Sequence, residues 1–293
     1  MRANDFLYPR VALGIVAVSF GAIFARLAGE ASPFAIAAWR LTLAAFVLAP
    51  LALFRRERTM SRRGLIWSVL SGVALAVHFV LWISSLEYTT VASSVLFMST
   101  HPMFVGLGSI LFLRERLSRP LLIGIALAVT GGALIAFGDV RFGGLALRGD
   151  LLALGGGVMA ATYFLIGRQV RRTVSLAEYA ATSYGVAAAV VLLLCLVTQT
   201  RLGGFAMSTY AYLILLAMVP QLIGHSTINW AFRRLSASRV SVFVLGEPVG
   251  AALLAIPFFR ELPRGLNLLG AAVILAGIYL SLRSEEEQDG TES

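Results

Sequence analysis

Glu247 and Pro248 sit side by side near the middle of the apolar stretch SVFVLGEPVGAALLAIPFF (Ser241–Phe259). Proline has no N–H and disrupts the helix ladder at the carbonyl four residues earlier, here that of Val244. A bend and a free carbonyl beside a carboxyl group make a polar notch, suited to holding an amine or exchanging a proton. The competing role is a protonated glutamic acid that fastens two helices while Pro248 shapes the bend. Elsewhere in apolar surroundings stand Arg40, His78, His101 and His225, with Gln221 and Asn229 as uncharged companions. His101 precedes Pro102. Histidine titrates near neutral pH, so His101 is equipped to sense pH or shuttle a proton, against the plainer role of a hydrogen-bonded packing residue.

Spacing groups these residues. His78 and Trp82 are four apart and share a helix face, as do Gln221 and His225, and His225 and Asn229. Three polar residues on one stripe are costly against lipid, so that stripe is expected to face a cavity. His78 with Trp82 would form an aromatic wall for rings or cations; packing or an interfacial belt is the alternative for Trp82. Arg40 either snorkels outward or is buried against Glu30, a cavity group or a solute carboxylate, and a structural pairing is the expectation. Pro102 and Pro248 are expected to shape bends or gates. The run Gly155-Gly156-Gly157 permits close backbone contact, or a bend that brings Tyr163 to the cavity.

The elements that must position these residues are membrane spans. Of 293 residues 58% are hydrophobic and 13% charged, against about 45–50% apolar and roughly 25% charged in a soluble domain. The excess falls in runs of about 20 residues, the length that crosses a ~30 Å hydrocarbon core as a helix. Ten spans are expected, near 9–28, 33–54, 64–86, 90–113, 120–138, 149–168, 177–198, 208–231, 237–259 and 265–283. The first apolar run is read as a retained helix, not a cleaved signal. The tail SEEEQDGTES is acidic and polar and is expected to be disordered over 285–293.

The net charge of +9 comes entirely from arginine, since the chain has no lysine. That excludes a Walker A loop and a Schiff-base lysine. The arginines lie in short loops, which argues for orienting the chain in a bilayer and against nucleic acid as a partner. One cysteine, Cys195, cannot form an intrachain disulfide, and three scattered histidines offer no metal-ligand spacing. No catalytic cluster, metal site or cofactor is read from the sequence. With the N-terminus inside, seventeen arginines fall on the cytoplasmic side and six on the other, so both termini are expected to be cytoplasmic.

The halves repeat. A shift of 146 residues places FMSTHPMFVGLGSILFLRERL (Phe97–Leu117) on FVLGEPVGAALLAIPFFRELP (Phe243–Pro263). Pro102 then meets Pro248, Arg114-Glu115 meets Arg260-Glu261, Gly124 meets Gly270, Gly131 meets Gly277, and His101 meets Glu247. The expected units are 1–146 and 147–284. Five spans per copy is an odd number, so the second copy must be inverted, the architecture of many secondary transporters with a site where the halves meet.

These same stretches, with Pro in the fourth and ninth spans and an acidic residue closing each, resemble the two EamA-type repeats of the drug/metabolite transporter superfamily. The resemblance implies an all-α membrane protein of ten helices in two inverted five-helix repeats. It implies a multi-pass protein of a bacterial-type inner membrane that exports amino acids, including aromatic ones, or cationic drugs. The first span lacks the membrane-embedded glutamate that small four-helix relatives use for proton coupling. The function expected is therefore export of small metabolites, amino acids foremost, by alternating access through a central cavity. The partners would be a small-molecule substrate and the bilayer, and the chain would act as a monomer. Organic cations are the alternative substrates. An intramembrane lipid-modifying enzyme or a channel is the alternative of another class, and the reactive cluster such an enzyme needs is not found.

Overall fold

The computed structural model describes residues 6–54, 60–85, 87–89, 94, 97–98, 100–115, 117–137, 145–260 and 265–289. Among these residues all regular structure is helical. Among the described residues seven helices are long and apolar enough to cross a membrane, and three more apolar ones are shorter. In chain order they are α1 (Leu7–Leu27), α2 (Pro33–Phe54), α3 (Arg62–Ser85), α4 (His101–Leu113), α5 (Arg119–Phe137), α6 (Leu145–Val170), α7 (Leu176–Val197), α8 (Met207–Ala231), α9 (Ala237–Phe259) and α10 (Gly265–Asp289). In a hydrocarbon solvent each backbone N–H must bond within its own segment, so apolar runs of this length have little choice but helix. Their outer faces carry Phe46, Phe54, Phe112 and Leu196, each at least 75% exposed. Water would not tolerate such a surface. Lipid does.

Most boundaries fall within a few residues of expectation. The first part of the fourth expected span, 90–93, lies outside the described residues, as do 95–96 and 99. At the C-terminus α10 continues to Asp289, so part of the tail expected to be disordered extends the last helix.

Helix packing follows the internal repeat. α3 lies along α6, and its repeat-related pair is α8 along α1; α4 meets α6 as α9 meets α1; α3 meets α7 as α8 meets α2. Two pairs, α2 with α7 and α5 with α10, are their own partners and so must lie on the pseudo-twofold axis. The α5–α10 contact gives the direction of that axis. A Cβ on Gly124 would come 2.8 Å from the Gly277 carbonyl oxygen, and one on Gly131 would come 2.5 Å from that of Gly270. Gly124 is the repeat partner of Gly270, and Gly131 of Gly277. Each glycine therefore faces the other's counterpart, the reciprocity of an isologous contact between antiparallel helices. The two halves are inverted, and glycine is required here because backbones touch. Arg114 and Arg260, repeat partners, end α4 and α9 in the same left-handed conformation, at φ 53° and 57°.

Candidate functional site

α9 is two helices. Ala237–Val244 and Gly246–Phe259 are separated at Leu245, whose N–H bonds the carbonyl of Val242. The break falls at the residue after Val244, where Pro248 withdraws its hydrogen bond. Glu247 thus stands in the first turn of the second half-helix, where the aligned peptide dipoles favour a negative charge. In the repeat-related place Pro102 occupies the first turn of α4, which starts at His101. α4 and α9 meet, with Ser238 Oγ donating to Ser109 Oγ at 3.0 Å.

Between them lies a cavity of about 110 Å³ lined by Arg40, His78, Trp82, His101, Tyr163, His225, Glu247 and Pro248, together with Phe79, Phe164, Met98 and small residues including Ala22 and Ala251. Eight of the eleven side chains singled out in the sequence thus line one hollow. Pro102 is buried but not on its wall. Gln221 and Asn229, both without solvent exposure, stand behind the wall.

Arg40 is buried at 4% exposure. Its Nε donates to Gln221 Oε1 at 2.7 Å, and its guanidinium lies over the Phe79 ring at 4.3 Å. Its Nη1 lies 3.8 Å, and Glu247 Oε1 4.0 Å, from where a Cβ on Gly21 would be. Glu30 is not its partner. Glu30 accepts from Ala206 N at 2.8 Å and Thr209 Oγ1 at 3.0 Å in the α1–α2 turn, and those bonds, the backbone one first, hold its carboxyl below the usual carboxylate range. Arg40, expected in a structural pairing, is held by Gln221 and also lines the cavity.

The histidines are fixed by carbonyl groups, which only accept. Nδ1 of His78 must donate to Gly156 O, and Nδ1 of His101 to Met98 O, each at 3.0 Å. A neutral ring then presents Nε2 as an acceptor; Nδ1 of His225 has no partner. His78 lies parallel to Trp82, with ring centroids 6.2 Å apart, which places Trp82 on the cavity wall.

Span eight differs from expectation in its winding. Residues Ala217–His225 form a π-helix around Pro220, whose missing N–H removes one α-helical bond. An i→i+5 winding no longer stacks residues four apart. The π winding parts Gln221 from His225, while Asn229 lies in the α-helical turn that follows: Gln221 holds Arg40, His225 lines the cavity, and Asn229 bonds Tyr163 OH at 2.6 Å and Tyr184 OH at 3.1 Å. All three face protein. Sequence reasoning passed over Phe79, Phe164 and Gly21, for which composition gives no signal, and Pro220, which was itself the signal for the π-helix.

The two ends of the site are unlike. Every residue of Ala237–Val244 is buried, whereas none of Gly246–Phe259 is. At the closed end Glu115 receives Arg168 at 3.0 Å and Arg172 at 3.2 Å. Arg168 also donates to Phe232 O, and Arg171 to Asn229 O and Val174 O. These contacts lock α4, α6 and α8 together.

A family model of EamA-like transporters matches residues 10–137 and again 147–283. The chain belongs to the EamA-like transporter family. It is 22% identical over 264 residues to the uncharacterized transporter YyaM of Bacillus subtilis, covering 85% of this chain and 84% of that protein. It is 27% identical over 190 residues to a Streptantibioticus cattleyicolor protein named a probable terminal-alkyne amino-acid exporter, covering 63% and 62%. A crystal structure superposes with a TM-score of 0.81 at 20% identity over 94% of this chain and 96% of that one, a likeness of fold. The protein is a multi-pass membrane transporter of the drug/metabolite transporter superfamily.

Proposed function

We propose that this EamA-family transporter exports small organic solutes, amino acids foremost, by alternating access through the central cavity, driven by an ion or solute gradient. The observation that carries this reading is a buried cation, Arg40, and a half-buried carboxyl, Glu247, in one hollow where the break in α9 meets the start of α4, its repeat partner. Burying charge in a bilayer costs about 2.5–3.5 kcal/mol per group on insertion scales, an expense that packing alone does not require. The hollow is below the ~300 Å³ at which sites for drug-sized molecules begin. Passage of a metabolite therefore needs the helices to part, and Gly246–Phe259, which has no buried residue, is the more exposed half of α9 beside it. The relative named as an amino-acid exporter supports that substrate class. In this reading the chain works as a monomer in a bacterial-type inner membrane with both termini cytoplasmic, an orientation that the arginine excess supports.

Organic cations form a second reading, favoured by the rings of Phe79, Trp82, Tyr163 and Phe164 beside Glu247. Arg40 opposes it, because a net cation would enter beside a fixed positive charge. Counterflow in proteoliposomes decides. Saturable exchange of labelled amino acids is expected; saturable exchange of tetraphenylphosphonium alone would transfer the assignment to cations, and exchange of neither would refute the transport reading.

A further inference from the structure

The point between Arg40 and Glu247 is empty because residue 21 is glycine. A Cβ there would meet Pro220 Cβ at 3.7 Å, Arg40 Nη1 at 3.8 Å and Glu247 Oε1 at 4.0 Å, all ordinary contacts. The guanidinium is held in a defined pose, its Nε by Gln221 and one face by Phe79, so that Nη1 is turned to the gap. Opposite it, the Glu247 side chain is carried by a helix start pinned to α1, where Ser19 Oγ donates to the Glu247 carbonyl at 3.2 Å. Two opposite charges thus border one gap of atomic size.

We propose that the part of the cavity lined by Arg40 and Glu247, together with the gap over Gly21, is a head-group subsite for a solute bearing an anionic and a cationic group on neighbouring atoms, the anion on Arg40 and the cation on Glu247. The assignment rests on the transport reading given above. A lone anion at Arg40 is repelled by Glu247, and a lone cation at Glu247 is repelled by Arg40; only a solute carrying both charges is attracted at each end. A carboxylate suits the guanidinium edge, and an ammonium suits the carboxylate. The partnerless Nδ1 of His225 remains available to a further N–H or O–H group of the solute. The rings of Phe79, Trp82 and Phe164 receive an apolar substituent. Gly21 is then a specificity-determining residue, since any side chain would occupy the head group's place.

The test uses the full chain in proteoliposomes and counterflow of labelled phenylalanine and alanine. Competitors are phenylalanine, its amide, which lacks the carboxylate, and N-acetylphenylalanine, which lacks the ammonium. Each analogue is expected to compete about tenfold or more weakly than phenylalanine. Glu247→Gln is expected to narrow the gap for the N-acetyl compound and leave that for the amide. Should that variant not fold, Gly21→Ala, whose added methyl meets only ordinary contacts, is expected to keep the wild-type thermal midpoint and lose about tenfold in phenylalanine affinity. Equal competition by both analogues, or unchanged affinity in folded Gly21→Ala, would overturn the subsite while transport stands. Absence of exchange for every solute, cations included, would instead overturn the transport reading, and the subsite with it.

Discussion

The pairing of Arg40 with Glu247 across the cavity can be measured as a coupling energy. Both Arg40 Nη1 and Glu247 Oε1 lie within 4.0 Å of one point, which caps their separation at about 8 Å. Unit charges at about that distance attract by about 2 kcal/mol in an effective dielectric of about 20, and the burial of Arg40 limits their screening by salt. Arg40→Met removes this attraction, removes the bond to Gln221 Oε1, and leaves the Glu247 carboxylate with no cation on the wall. Glu247→Gln leaves Arg40 in the mirror position. The double variant removes both charges at once, and buried pairs replaced together are often close to neutral. The expected result is therefore two destabilised single variants and a double variant more stable than their sum by at least about 2 kcal/mol. Unfolding in detergent, followed by tryptophan fluorescence, reads the cycle at low and high salt. Additivity within about 0.5 kcal/mol would mean that the two groups are not both charged, and would refute this electrostatic account.

Other outcomes follow from packing and from the ends of the bundle. At the α5–α10 contact Gly131→Ala places a methyl 2.5 Å from the Gly270 carbonyl oxygen and is expected to cost about 1–3 kcal/mol, whereas Gly185→Ala, with nothing within 4 Å, should be neutral or stabilising by about 0.5–1 kcal/mol; thermal midpoints of the two variants check this. Glu115→Gln releases Arg168 and Arg172; at about 1 kcal/mol for such contacts, a cysteine at Val244 should label about fivefold faster with a thiol reagent. Glu30 behaves differently with pH: its folded carboxyl is held low chiefly by the Ala206 N–H, so its contribution is complete above the ordinary carboxylate range and is lost only as pH falls through the lower folded value. The stability difference between wild type and Glu30→Gln should accordingly be flat across neutral pH and shrink only in acid, as thermal midpoints over a pH series would show.

What could be read in advance and what could not divide along a physical line. Helix count, the inverted repeat and the break in α9 are local or periodic properties. A run of about 20 apolar residues has one solution in lipid, a proline withdraws one identifiable bond, and glycines matched 146 residues apart mark backbone contact wherever it falls. Polar residues in such runs had to face inward, and Glu247, His78, His101 and His225 do. The partner of Arg40 was not legible, because Gln221 lies 181 residues away and a nearer acid, Glu30, looked as suitable. Burial decides between them: Glu30 sits in a turn where backbone and hydroxyl donors satisfy it, while the start of α2 carries Arg40 inward against α8. The stripe on α8 misled for a different reason. Helical spacing assumes one winding throughout, and Pro220 changes the winding within the stripe itself. The same π-turn parts Gln221 from His225, so that one holds the guanidinium while the other meets the cavity. A regular helix here would put both on one face and leave Arg40 without the bond that aims it at Gly21.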